Sequence, residues 1–165
     1  MDYAKRYERI SAPFRSPAAR RMVNVADRLL VVLIAVAYIG VLGYSALNGD
    51  ARTLKLALVP AITFALVSLI RATLDKPRPY EVYPIDPIIV KNTLGKSMQS
   101  RHLASAVIIA CALAWFDLRL GIPAFIACAI VGAMRIIGGV HFPRDIVAAA
   151  VISLACGLIG FVIVP

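Results

Sequence analysis

Apolar and polar positions alternate in blocks along this chain. A polar, basic lead of 28 residues is followed by five apolar stretches separated by polar joints. Residues 29–47 form a 19-residue run without charge, long enough to cross a bilayer as a helix. An Asn48-Gly49-Asp50 turn follows. Residues 53–70 predict a second span, with Lys55 near its start, where its stem can snorkel. Residues 71–101 read as a long polar loop with four prolines, Pro77, Pro79, Pro84 and Pro87. Residues 103–116 and 120–134 are shorter runs, joined at Asp117, Leu118 and Arg119 as a helical hairpin. They are short for a hydrocarbon layer of about 30 Å, so they must recruit polar flanks or sit centrally in the bundle. Residues 146–165 are a last uncharged run. The pattern predicts an all-α, polytopic membrane helix bundle of five spans.

The lead segment predicts helix as well. Tyr3, Tyr7, Ile10 and Phe14 share one helical face, and after Pro13 and Pro17 so do Met22, Val25 and Leu29. Seven basic residues (Lys5, Arg6, Arg9, Arg15, Arg20, Arg21 and Arg28) stand against Asp2, Glu8 and Asp27. Residues 1–28 are therefore expected to lie in the membrane interface, arginines toward anionic headgroups. Residues 29–165 are expected to form the membrane-embedded domain.

Composition sharpens this. Hydrophobic residues make up 61% and mean hydropathy is +0.83, beyond what a soluble core of this size needs. A net charge of +9 would suggest nucleic acid in a soluble chain. Beside uncharged runs it points to anionic membrane lipids instead. No base-reading module is visible, so no nucleic-acid partner is expected. Cys111, Cys128 and Cys156 lie in apolar runs without metal spacing and read as inert thiols. No cleavable signal peptide is expected, because the first apolar run starts late and is followed by more of the same. Small residues, Gly121, Ala124, Ala127, Ala129 and Gly132, then Ala148, Ala149, Ala150 and Gly157, permit close helix approach.

Three polar pieces interrupt the apolar pattern, and polar groups at membrane depth are costly enough to suggest function. Arg71 and Arg78 flank a proline-containing turn. Their guanidinium forks suit phosphate oxygens, although one such arginine alone reads better as an interfacial anchor. Ser100, Arg101 and His102 stand at the start of the third span. Helix-terminal N–H groups there can cradle an anion, Ser100 can add a hydrogen bond, and His102 is placed as a general acid. Read alone, Ser100 is equally a helix cap. Arg135, Gly138-Gly139, His141, Pro143 and Asp145 open the last helix. Asp145, four residues beyond His141, can reach one ring nitrogen and leave the other free to attack. Read alone, this too is equally a capped helix start. Lys76, Lys91 and Lys96 are assigned to solvated loop or headgroup contacts. Because spans three and four cross and return, the loop 71–101 and the segment 135–145 emerge on one membrane face.

In order and together, these pieces resemble the type 2 phosphatidic acid phosphatase superfamily of membrane lipid phosphatases. Its pattern is Lys-x6-Arg-Pro, then Pro-Ser-Gly-His, then Ser-Arg-x5-His-x3-Asp. Arg71 stands at the lysine position and Arg78-Pro79 match; Ser100 and His102 match; Arg135, His141 and Asp145 match with both spacings intact. The resemblance covers residues 53–165, and small bacterial members look similar across the basic lead too. Gln99 replaces a proline, Arg101 a glycine and Met134 a serine.

The resemblance implies a metal-independent phosphatase with no cofactor, acting through a phosphohistidine. His141 attacks phosphorus, Asp145 orients it, and His102 protonates the leaving group and then activates water. Arg71, Arg78, Arg101, Arg135, Ser100 and backbone amides serve the phosphate oxygens. Candidate substrates are phosphatidate, phosphatidylglycerophosphate and polyprenyl diphosphate. The competing reading is a non-catalytic anion-binding protein or transporter-like relative, which the three departures favour and intact His102, His141 and Asp145 oppose. A vanadate-dependent haloperoxidase would share the site but would be a larger soluble chain. With five spans the basic lead and the site share a side, which its charge places in the cytoplasm. The resemblance points instead to an external site reached with six spans.

Overall fold

The computed structural model describes residues 3–90, 94–95 and 97–164. Lys91 and Lys96, assigned above to loop or headgroup contacts, lie outside the described residues. The elements are α1 (Tyr3–Ser11), a 3-10 turn (Ala12–Phe14), α2 (Pro17–Leu47), α3 (Thr53–Leu74), α4 (Pro79–Val82), α5 (Arg101–Phe116), α6 (Leu118–Ile137) and α7 (Pro143–Leu158), which continues as a π-helical turn (Ile159–Ile163). The described residues contain no strand.

Local chemistry sets the helix starts. Ser16 caps α2, its hydroxyl accepting from Ala19 N–H at 3.2 Å, with Pro17 in the first helical position. Asp117 ends α5 and caps α6, accepting from Arg119 N–H at 2.8 Å. The hairpin is therefore tighter than the sequence predicts, with Asp117 alone between its helices. α6 begins at Leu118 and runs to Ile137, so the fourth span recruits Leu118, Arg119, Arg135 and their neighbours to reach bilayer length. α5 takes the other course. At 16 residues it stays short and packs against α2, α3, α6 and α7, burying Leu103, Val107, Ile108 and Leu113 among them.

α2, α3, α6 and the α7 stretch through Ile163 are each long and apolar enough to cross a membrane. Their outer faces carry Val36, Ile39, Ile62, Leu69, Ile126 and Val151, between 59% and 65% exposed. In water such a surface would aggregate; in a bilayer it faces lipid.

The lead is helical, as its pattern predicts. No break separates it from the first span, because α2 runs unbroken from Pro17 to Leu47. The aromatic face of α1 also packs on protein: Tyr7 is buried, and Tyr3 and Phe14 are half-buried. Tyr7 Oη accepts from Ile88 N–H at 3.3 Å, Asn24 donates to the Ile88 carbonyl at 3.2 Å, and Arg20 pairs with Asp86. A small core of Val23, Ile88, Ile89 and Val140 forms beneath. The start of α2 thus clamps the loop after α3 onto the turn before α7.

Candidate active site

The α6–α7 turn is shaped by its glycines. Gly139 has φ +73°, and a Cβ there would sit 2.7 Å from Tyr7 Oη, so glycine suits the position. Two residues on, His141 is 2% exposed. Its Nδ1 lies 3.0 Å from the Ser97 carbonyl oxygen and 3.8 Å from Asp145 Oδ2. An Nδ1–H donating to that carbonyl leaves Nε2 with its lone pair. The sequence reading assigns this orienting bond to Asp145. In the structure the bond goes to Ser97, and Asp145 stands one step back as a charge partner. Asp145 Oδ2 accepts instead from Ser97 Oγ at 2.6 Å and from Phe142 N–H at 3.0 Å. Burial pushes the His141 imidazole below its ordinary pKa; Asp145 opposes this, and the nearby Arg78 and Arg135 charges reinforce it.

The arginines divide into two kinds. Arg78, 2% exposed, donates from Nε to Gly95 O at 3.0 Å and from Nη1 to Val140 O at 3.4 Å. It lies within electrostatic reach of His141, Arg135 and Arg71. Arg135, on the last turn of α6, is 3% exposed. Its Nη2 pairs with Asp27 at 2.9 Å, and its Nε and Nη1 have no hydrogen-bond partner among the described residues. Arg71, half-buried on the last turn of α3, senses both Arg78 and Arg101. Arg101 is exposed at the head of α5, its guanidinium 5.4 Å over the Phe64 ring of α3.

Ser100 is fully buried and caps α5, accepting from Leu103 N–H at 3.4 Å; its N–H donates to the Asp145 carbonyl at 3.4 Å. That last bond ties the head of α5 to the head of α7. Gln99, before it, has φ +38°, a left-handed value that proline cannot adopt. The Gln99 departure is thus built into the backbone. His102, half-buried, has Nε2 3.8 Å from Asp27 Oδ2. One carboxylate from α2 therefore meets both Arg135 and His102. Among the described residues no group of three His, Cys, Asp or Glu side chains is placed to hold a metal ion.

Sequence reasoning missed Ser97 and Asp27. The Ser97 carbonyl is a group every residue owns, and only its hydroxyl, three positions before Ser100, offered a signal. Asp27 stands in the sequence as one charge among many in the basic lead.

The segment holding all three motif pieces, residues 52–165, matches the family model described as PAP2 superfamily. The chain belongs to the PAP2 superfamily. No curated protein matches it. Its fold is similar to the crystal structure of Aquifex aeolicus LpxE, at TM-score 0.74 and 22% identity, over 94% of this chain and 92% of that one. It is also similar to a transmembrane PAP2-type phosphatidylglycerolphosphate phosphatase from Bacillus subtilis, at TM-score 0.65 and 21% identity, over 94% and 83%. This PAP2 chain is a multi-pass membrane protein, and Asp27 lies ahead of its family-matched segment.

Among the described residues, two cavities lie near the site. One of about 630 Å³, lined by Tyr3, Arg6, Tyr83, Phe142 and Arg144 among others, flanks the His141 turn. The other is an apolar groove of about 420 Å³ between α5, α6 and α7. Its lining includes Leu103, Ile136 and Ile146, the chain neighbours of His102, Arg135 and Asp145, and extends to Leu154 and Phe125.

Proposed function

We propose that this chain hydrolyses a lipid phosphate or polyprenyl diphosphate through a phosphohistidine on His141. The observation that carries the reading is the buried His141 ring, with Nδ1 on the Ser97 carbonyl, Asp145 behind it, and Arg78 and Arg135 close by. Nε2 attacks phosphorus and the N–P bond forms as the bond to the leaving oxygen breaks. Protonated His102 delivers its proton to that oxygen. The His141 ring becomes cationic, and Asp145 offsets that charge. In the second step His102 takes a proton from water, the hydroxide attacks phosphorus, and the N–P electron pair returns to Nε2. Phosphate leaves and both imidazoles are restored. Arg71, Arg78 and Arg135 stabilise the equatorial oxygens as charge shifts onto them.

The apolar groove supports a lipid substrate. It lies between α5, α6 and α7, and its apolar lining suits an acyl or prenyl chain.

The test is phosphate release from mixed-micelle phosphatidate and polyprenyl diphosphate with EDTA present, for the wild type and His141→Ala. EDTA-resistant release by the wild type, abolished in the variant, with an acid-labile phosphoprotein trapped only in the wild type, is expected. Equal release from both overturns the nucleophile assignment. No release by folded wild type shifts the reading to an anion-binding protein.

A further inference from the structure

The buried residues of α2 are Val23, Asp27, Ile34, Val41 and Ser45. Their spacings of four and seven trace the stripe by which a helix packs on its bundle. Asp27 therefore sits where the pattern calls for an apolar side chain, and it is 4% exposed. A carboxylate at such a place is costly unless compensated. Its compensation comes from two motif residues on two other helices. Arg135 Nη2 on α6 lies 2.9 Å away, and His102 Nε2 on α5 lies 3.8 Å away, both measured to the same Oδ2. The pairing uses one edge of the Arg135 fork; the buried Nε and Nη1 donors have no partner among the described residues.

We propose that Asp27 is a positioning residue of the phosphate site, fixing the Arg135 guanidinium so that its Nε and Nη1 donors serve the transferring phosphoryl group while tethering His102 beside it. The inference rests on the phosphatase reading above. It gives the first span a part in the chemistry, although that span lies outside the family-matched segment. A guanidinium held before substrate arrives need not reorganise as charge develops. An Asp27 that only balanced the buried Arg135 charge would, on replacement, cost folding and not turnover per folded molecule, since removing one partner of a buried pair leaves the other charge uncompensated.

The test uses the full-length protein in detergent, with Asp27→Asn and Asp27→Ala. Asn keeps the size and an acceptor for Arg135 but removes the charge. Turnover is measured per folded molecule, with folded fraction taken from thermal unfolding, alongside inhibition by orthovanadate, which mimics the transferring group. Both variants are expected to lose kcat by roughly 10- to 100-fold, Ala more than Asn, with KM changed little. The vanadate inhibition constant should rise in step with the loss. Turnover per folded molecule within about threefold of wild type in both variants, or vanadate inhibition unchanged, overturns the proposal. Activity falling only as the folded fraction falls also overturns it, because Asp27 would then be structural alone. A folded wild type releasing no phosphate defeats the phosphatase reading, and this inference with it; an active wild type with indifferent variants defeats the inference alone.

Discussion

Ser97 holds His141 and Asp145 at once: its carbonyl lies 3.0 Å from the imidazole Nδ1, and its hydroxyl donates to Asp145 Oδ2 at 2.6 Å. The two contacts divide the work between backbone and side chain. Ser97→Ala removes only the second, so the ring keeps its tautomer while Asp145 loses one donor. A kcat loss of about fivefold to thirtyfold is expected, in line with one hydrogen bond of about 1–2 kcal/mol. Asp145→Ala removes the charge that offsets the cationic ring and the acceptor for Phe142 N–H. Its kcat should fall by roughly 10³-fold or more, with about 1 kcal/mol of stability lost from the α7 start. Steady-state kinetics on both variants checks the ranking; equal effects would mean that Asp145 acts only through Ser97.

The acid limb of the rate profile should lie below the ordinary histidine pKa of about 6.5. Burial disfavours the imidazolium form of His141, and Arg78 and Arg135 add to this. The attacking ring must be neutral, so a lowered pKa keeps it competent at pH values where a free histidine is protonated. The same shift has a stability consequence of defined sign. Between the lowered folded value and the unfolded value the unfolded chain binds the extra proton, so stability falls as pH drops through that window and levels below it. A kcat/KM profile and thermal unfolding across pH 4.5–8 test both. An acid limb at or above the ordinary value would contradict the burial of His141.

Gly139 links the lead to the site. With φ +73° and Tyr7 2.7 Å from where a Cβ would stand, Gly139→Ala meets two separate obstacles. The left-handed backbone alone costs about 1–2 kcal/mol, and the Tyr7 ring must also move. Turnover should fall more than the folded fraction does, since His141 is two residues away. Pairing Gly139→Ala with Tyr7→Ala relieves the clash but not the backbone strain, so the double variant should recover activity only in part. A fully active Gly139→Ala would show that the turn has freedom the structure does not give it.

The spans were legible because an uncharged apolar run of bilayer length has few other fates. The central place of α5 was one of two outcomes open to each short run, and the sequence did not say which run would take it. The extent of α2 was not legible: charges on a helix extending beyond the apolar layer look the same in sequence as charges on a helix lying flat. The i, i+4 pair of His141 and Asp145 was visible as spacing, yet its central hydrogen bond goes to a main-chain oxygen, which no side-chain pattern reports. Asp27 was hidden for a different reason. Its partners stand on α5 and α6, and a single acid in a basic segment carries no local sign of a long-range ion pair.

Gln99 tests whether a departure from a family pattern should be reversed. The pattern places proline there, and restoring it is the obvious substitution. In this chain the residue has φ +38°, whereas proline is held near −65°, so Gln99→Pro must rebuild the turn from Ser97 to Ser100. That turn carries the Ser97 carbonyl beneath His141, and the side chain it replaces donates to the Val67 carbonyl at 3.3 Å. Gln99→Pro should therefore lower both melting temperature and kcat. Gln99→Gly accepts the left-handed backbone without strain, which offsets the lost Val67 contact, so its stability should stay within about 1 kcal/mol of wild type. Thermal unfolding and turnover of the two variants decide the matter. A proline variant more active than wild type would show that the positive φ at Gln99 is not needed to present Ser97, and that the ordinary form of this turn is open to the chain.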